Sequence, residues 1–156
     1  HLDRASGAVI DRIGPDGDHT LIDGQWFYSQ HSPELAADGA LLVYDNGNER
    51  RDPATGELLP LLERTSRAAM FAIDPVAKTA TQTWSYEVPE FTVFVGDADR
   101  LANGNVLVCA GGVRGNQTSG LARLHEVTGD ASAELVWSLE IEAVVYRATR
   151  LSSLTL

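Results

Sequence analysis

One stretch of the chain repeats. Ser66 to Glu87 (SRAAMFAIDPVAKTATQTWSYE) aligns without a gap on Ser119 to Glu140 (SGLARLHEVTGDASAELVWSLE), 53 residues later. Both copies end in Trp-Ser-x-Glu, beginning at Trp84 and at Trp137. Ahead of each stands a second matched pair, Asp38-Gly39-Ala40-Leu41-Leu42-Val43 and Asn103-Gly104-Asn105-Val106-Leu107-Val108. Self-similarity at a fixed period restricts a chain to architectures built from stacked equivalent units. Here a unit of roughly 50 residues reads as several short strands, which is the pattern of β-propeller blades.

Helical periodicity is nearly absent, and runs rich in Val, Leu, Ile, Trp, Tyr and Thr alternate with Gly, Asn, Asp and Pro punctuation. The spacing predicts strands over Ala8 to Ile13, Phe27 to Leu35, Ala40 to Tyr44, Arg67 to Ile73 and Thr79 to Glu87. The second unit repeats the order with Thr92 to Leu101, Asn105 to Cys109, Leu121 to Val127 and Glu134 to Ile141, and a third opens at Val144 to Leu151. The expected architecture is all-β, with four-stranded antiparallel blades forming a partial propeller. Residues 1–14 end a preceding blade, 26–88 and 91–142 are two full blades, and 143–156 open the next. A start at His1 and a repeat cut in mid-unit predict a piece of a longer chain. The matched glycines Gly39 and Gly104 are 65 apart whereas the later strands are 53 apart. The extra residues fall in Asn48 to Thr65, a charged loop of the kind that collects on one face of repeat proteins.

A net charge of −10 argues against nucleic acid or an anionic membrane as partner, since both require clustered Lys and Arg. It leaves open a small anion, which one local Arg can hold. No apolar run approaches the 18 or so residues of a membrane-spanning helix. Cys109 is the only cysteine, so no internal disulfide forms. Asp16, Asp18 and Asp23 do not have the spacing of an EF-hand calcium loop and read as a solvated turn. No P-loop, dinucleotide fingerprint, Gly-x-Ser-x-Gly or Cys-x-x-Cys is present, and neither a cofactor nor a metal is expected.

Alignment of the opening strands on Leu35, Leu101 and Leu151 puts His31, Asp97 and Arg147 at one position. The first strand of a propeller blade lines the central channel, so equivalent positions of successive blades converge on the axis. A His, an Asp and an Arg there suit a polar active site, and they also suit the polar mouth of a wet channel. Asp45-Asn46-Gly47-Asn48-Glu49-Arg50-Arg51 reads first as a tight turn. An Arg at its end could also grip an anion bidentately. The matching stretch, Gly111-Gly112-Val113-Arg114-Gly115-Asn116, also carries an Arg after a Gly turn. His125 aligns with Ala72 on a third strand, away from the channel, and is expected to be a partly buried structural residue. Trp84 and Trp137 share a register and are expected to pack between blades, with sugar stacking as the lesser option.

Several segments resemble the bacterial arylsulfate sulfotransferase family. They are Ser29-Gln30-His31, Leu42 through Asn48 followed by Arg50, Ser66-Arg67 through Ile73-Asp74, Phe94-Val95-Gly96-Asp97, and Tyr146 through Leu151. The resemblance implies a six-bladed propeller of the periplasm or cell exterior. It implies transfer of a sulfuryl group from a phenolic sulfate donor to a phenol acceptor without a nucleotide. In that family a histidine carries the group and other histidines and an arginine bind its oxygens. On matching positions His31 is a catalytic histidine of the supporting kind. Arg50, or Arg51 if the register slips by one, is the sulfate-binding arginine. Asn46, Asp97, Arg114 and Arg147 complete the candidate sulfate-binding set. The carrier histidine is expected a few residues after Gly111-Gly112, where this chain has Val113-Arg114-Gly115 instead. The rival reading is therefore a non-catalytic extracellular propeller that binds a ligand or serves as a scaffold.

Overall fold

Successive side chains of a strand point to opposite faces, so an unbroken apolar run needs cover on both sides. Ala40-Leu41-Leu42-Val43-Tyr44 is such a run. In the computed structural model it forms an interior strand whose Leu42 and Tyr44 face one core while Leu41 and Val43 face another. The structure describes residues 1–36, 38–113 and 120–151. Its strands are β1 (Thr20–Asp23), β2 (Gln30–Leu35), β3 (Ala40–Asp45), β4 (Arg67–Asp74), β5 (Thr79–Glu87), β6 (Asp97–Arg100), β7 (Val106–Val113), β8 (Leu121–Val127) and β9 (Leu135–Ile141).

Two sheets form among the described residues, in the orders β1-β5-β4-β3-β2 and β6-β7-β8-β9. Leaving out β1, each is a four-stranded antiparallel meander, as the repeat predicts. The turns between their first two strands share their hydrogen bonds among the described residues. Ala36 N–H donates to Ala40 O at 2.8 Å and Leu101 N–H to Asn105 O at 2.8 Å. Gly39 and Gly104 take φ of 82° and 87°, a left-handed conformation that favours glycine. The side chains of Asp38 and Asn103 accept from the N–H two residues on.

The two sheets pack on each other through Leu42, Tyr44, Ala68, Met70 and Trp84 of the first and Val106, Val108, Ala110 and Val127 of the second. Complete burial of each large apolar side chain contributes about 1.5–3 kcal/mol. The other face of the first sheet is covered by Ile13, Leu21, Trp26 and Phe27, with Trp26 stacked on Phe71 at 5.8 Å.

Three expectations are corrected. Ala8 to Ile13 forms no strand, because its backbone groups are satisfied locally. Ile10 N–H bonds His1 O at 2.9 Å, and Arg12 N–H bonds the Asp18 side chain at 2.7 Å. Thr20–Asp23 pairs instead, parallel to β5, as a fifth strand on the outer edge. Thr92 to Leu101 yields only the short β6, since left-handed residues at Val95 (φ 54°) and Gly96 (φ 126°) break it. Residues 144–151 form no strand; Val145 N–H bonds Gly111 O at 3.0 Å without extending into a ladder.

Candidate functional site

The end of β3 organises the site. Gly47, at φ 74°, turns the chain so tightly that a Cβ there would run into the Thr65 carbonyl oxygen. Gly47 N–H donates to Tyr28 O at 2.8 Å, and Arg50 N–H closes the turn on Gly47 O at 3.1 Å. The turn drives the fully buried Asn46 side chain between the two sheets. Its Nδ2 donates to Thr92 O at 3.0 Å and Val95 O at 3.0 Å, with Thr92 Oγ1 at 3.1 Å. Its Oδ1 lies 2.6 Å from His31 Nδ1. Ser66 donates to Asn46 O at 2.8 Å and accepts from Thr92 N–H at 2.8 Å, while Tyr44 OH meets Thr92 Oγ1 at 2.8 Å. The Asn46 side chain and the hydroxyls of Ser66, Thr92 and Tyr44 are thus all partnered, a condition that favours a rigid buried network.

His31 sits in the irregular part of β2. Ser29 and Ser32 both take left-handed φ, 58° and 47°, and the β2–β3 register slips between His31 and Glu34. Such bulges re-aim a side chain. The His31 ring is half-buried, and among the described residues its Nε2 has no hydrogen-bond partner.

The leading strands β2 and β6 lie side by side, with Ser32 Oγ 3.5 Å from Gly96 O. Asp97 follows directly, is 3 % exposed, and accepts from Ala148 N–H at 3.3 Å. Asp99, on the same face of β6, has its carboxyl raised by burial first and then by Asp97 and Glu34, with Arg147 acting in the opposite sense. Burial, with Asp97 nearby, pushes the Cys109 thiol up to about 12. The structure therefore brings His31 to Asn46, and Arg147 near the carboxylates of β6. No hydrogen bond joins the two groups among the described residues.

The arginines depart from expectation. Arg50 is turned inward and 4 % exposed. Its Nη2 meets Asp45 Oδ2 at 2.8 Å and Thr65 O at 3.0 Å, so that edge of the guanidinium is already used. Arg67, which sequence reasoning did not single out, binds the same Asp45 oxygen through Nε at 2.9 Å. Burial pulls Arg67 below the usual guanidinium range and Asp45 offsets the effect. Arg51 is exposed and lines a cavity of about 580 Å³ together with Trp26, Tyr28, Ser29, Gln30 and Glu49; His31 is not in its wall. Arg114 lies outside the described residues. Asn46 is not placed as a sulfate ligand, since its two N–H bonds are taken by carbonyl oxygens.

The remaining histidines are elsewhere. His1 is exposed. His19 is buried, with Nε2 3.4 Å from Asp11 Oδ2. His125 is buried between the sheets, its Nδ1 3.0 Å from Tyr86 OH, a structural placement that fits its position in the repeat. Gly111 and Gly112 have a packing reason: a Cβ on either would strike the Val145 or the Phe94 carbonyl oxygen. Ser66, Thr92 and Tyr44 are not among the expected site residues; Ser66 heads the repeat, and Ser66 and Tyr44 both lie in segments that carry the family resemblance, but neither signal points to a polar network.

The family model for arylsulfotransferase (ASST) matches residues 16–147, which is most of the chain. The chain belongs to the arylsulfotransferase family. A search of curated proteins returns no match.

Proposed function

We propose that the chain forms part of a propeller that transfers a sulfuryl group from a phenolic sulfate ester to a phenol, with His31 as the working histidine. The observation that carries this is the fate of the histidines. Within the matched residues 16–147, His19 and His125 are buried against Asp11 and Tyr86, whereas His31 is half-buried with Nε2 unengaged. The two meanders are read as successive blades, 26–88 and 91–142, of a six-bladed ring, with 143–156 leading into the next. β2 and β6 then border the channel, and His31, Asp97 and Arg147 belong to its lining.

In this reading His31 Nε2 takes the proton of the acceptor phenol as its oxygen bonds to sulfur. The sulfur–oxygen bond to the donor aryl group breaks, and the departing phenolate receives a proton in return, so the histidine ends as it began. Exposed guanidiniums are the groups suited to the sulfate oxygens, and Arg147 and Arg51 are the exposed arginines named above. The substrates are small phenolic sulfates and phenols. The periplasm or cell exterior is proposed as the compartment. No helix among the described residues is long and apolar enough to cross a membrane.

The test is release of nitrophenol from p-nitrophenyl sulfate in the presence of a phenol acceptor, using the full-length protein. Release well above that of a His31→Ala variant is expected; equal rates would remove His31 from the reaction. A second reading, a binding module without transfer, draws on the absence of a histidine in Gly111 to Gly115 and on the engagement of Arg50 by Asp45. Calorimetric binding of an aryl sulfate with no turnover would favour it.

A further inference from the structure

We propose that Asn46 is a positioning residue that holds His31 in the Nδ1–H tautomer, so that Nε2 is the ring's basic atom. This deepens the reading above and rests on His31 being a working residue of that site. The orientation of the Asn46 amide follows from its surroundings. A carbonyl oxygen can only accept, and two of them, Thr92 O and Val95 O, each lie 3.0 Å from one end of the amide. That end must be the NH₂ group, since only a donor satisfies two carbonyl oxygens. The other end is then the oxygen, which also can only accept, and it lies 2.6 Å from His31 Nδ1. A hydrogen bond of that length requires the proton on Nδ1.

Free histidine favours the opposite tautomer, with the proton on Nε2, so the protein reverses the intrinsic preference. Asn46 can do this because it cannot rotate. Its backbone carbonyl is held by Ser66 Oγ at 2.8 Å, and Gly47 behind it tolerates no side chain. Thr92 and Val95 belong to the link into the second sheet, so the tautomer of a residue on β2 is set by contact between the two repeats. In the proposed reaction the Nε2 lone pair accepts the phenol proton. Nδ1–H keeps donating to Asn46 while the ring is positive, and the proton leaves from Nε2 to the departing phenolate.

The test is a long-range ¹H–¹⁵N correlation spectrum of the full-length protein labelled with ¹⁵N-histidine, above the titration range of the ring. The His31 signals are assigned by their loss in His31→Gln. A protonated Nδ1 and a bare Nε2 are expected; a protonated Nε2 in the wild type overturns the proposal without any variant having to fold. Asn46→Asp keeps an acceptor oxygen towards Nδ1 but sets its second oxygen against the Thr92 and Val95 carbonyls. It is therefore read only in protein that remains folded by circular dichroism, where the Nδ1–H form is expected. Asn46→Leu removes the acceptor oxygen and is expected to let the ring revert, with transfer falling on the order of 10²-fold in protein that remains folded by circular dichroism. An unchanged tautomer in folded Asn46→Leu overturns the proposal. A wild-type Nδ1–H signal in a protein that transfers no sulfuryl group supports the positioning role and counts against the proposed reaction alone.

Discussion

The Asp45 carboxylate is fully buried between two guanidiniums, from Arg50 at 2.8 Å and Arg67 at 2.9 Å. Its Oδ1 also accepts from Tyr28 N–H at 2.9 Å, which ties the approach to β2 onto the end of β3. Removing one partner from such a cluster leaves buried charge uncompensated, at a cost of about 3–5 kcal/mol. Asp45→Ala is therefore expected to lose that much in urea unfolding, far more than Arg51→Ala, whose side chain is exposed and whose loss should stay within about 0.5 kcal/mol. Equal losses would mean that Asp45 is not the counter-ion of both arginines. Cys109 makes a separate prediction. It is fully buried and its thiol is pushed up to about 12, so little thiolate exists at neutral pH. Iodoacetamide should leave it unmodified in the folded protein and label it after denaturation.

The matched turns between leading and second strands are copies, and they should respond alike to substitution. A Cβ on Gly104 meets nothing within 4 Å and one on Gly39 only Ile73 O at 3.7 Å, so what Ala costs is its left-handed backbone. That cost is about 1–2 kcal/mol. Gly39→Ala and Gly104→Ala are each expected to lower stability by this amount, measured by thermal or urea unfolding; a large difference between them would break the equivalence of the units. The loop after β6 in the second unit shows how an element carries pH dependence. Glu126 on β8 is held down to about 2, first by the Arg150 hydrogen bond, then by Asn105 and Asn103, against an ordinary value of 4.5. A carboxyl with a depressed folded value stabilises the fold above its unfolded value and loses that contribution as pH falls. The contribution is complete above about pH 4.5 and fades towards about pH 2. Glu126→Gln should flatten the acid limb of the stability profile in that window.

Trp84 and Trp137 occupy the same register in the repeat, yet Trp84 is 7 % exposed and Trp137 is 41 % exposed. The first lies under the second sheet, while Leu135, Val136, Trp137 and Leu139 of β9 are exposed among the described residues. In a chain of these residues alone, Trp84→Ala should cost about 3–5 kcal/mol, the usual range for an aromatic core residue. Trp137→Ala should cost well under half of that, as read from paired denaturation curves. Equal costs would indicate that the β9 face is covered in solution.

The strands and their repeat were readable in the amino-acid order, because pleat alternation, glycine turns and β-branched runs are local properties. β5 and β8 fall on their expected bounds, and both left-handed glycines sit where the repeat puts them. The segments that point to the arylsulfotransferase family were equally readable, since they are contiguous stretches. The direction of each polar side chain was not. Arg50 faces inward because Asp45 and Thr65 meet it there, and Asn46 turns to His31 because Thr92 and Val95 take its amide from 46 and 49 residues away. Those partners are distant in sequence and close only once two sheets have packed. Composition and spacing determined which residues were available for chemistry, and the contact between the sheets decided which atom of each was left free.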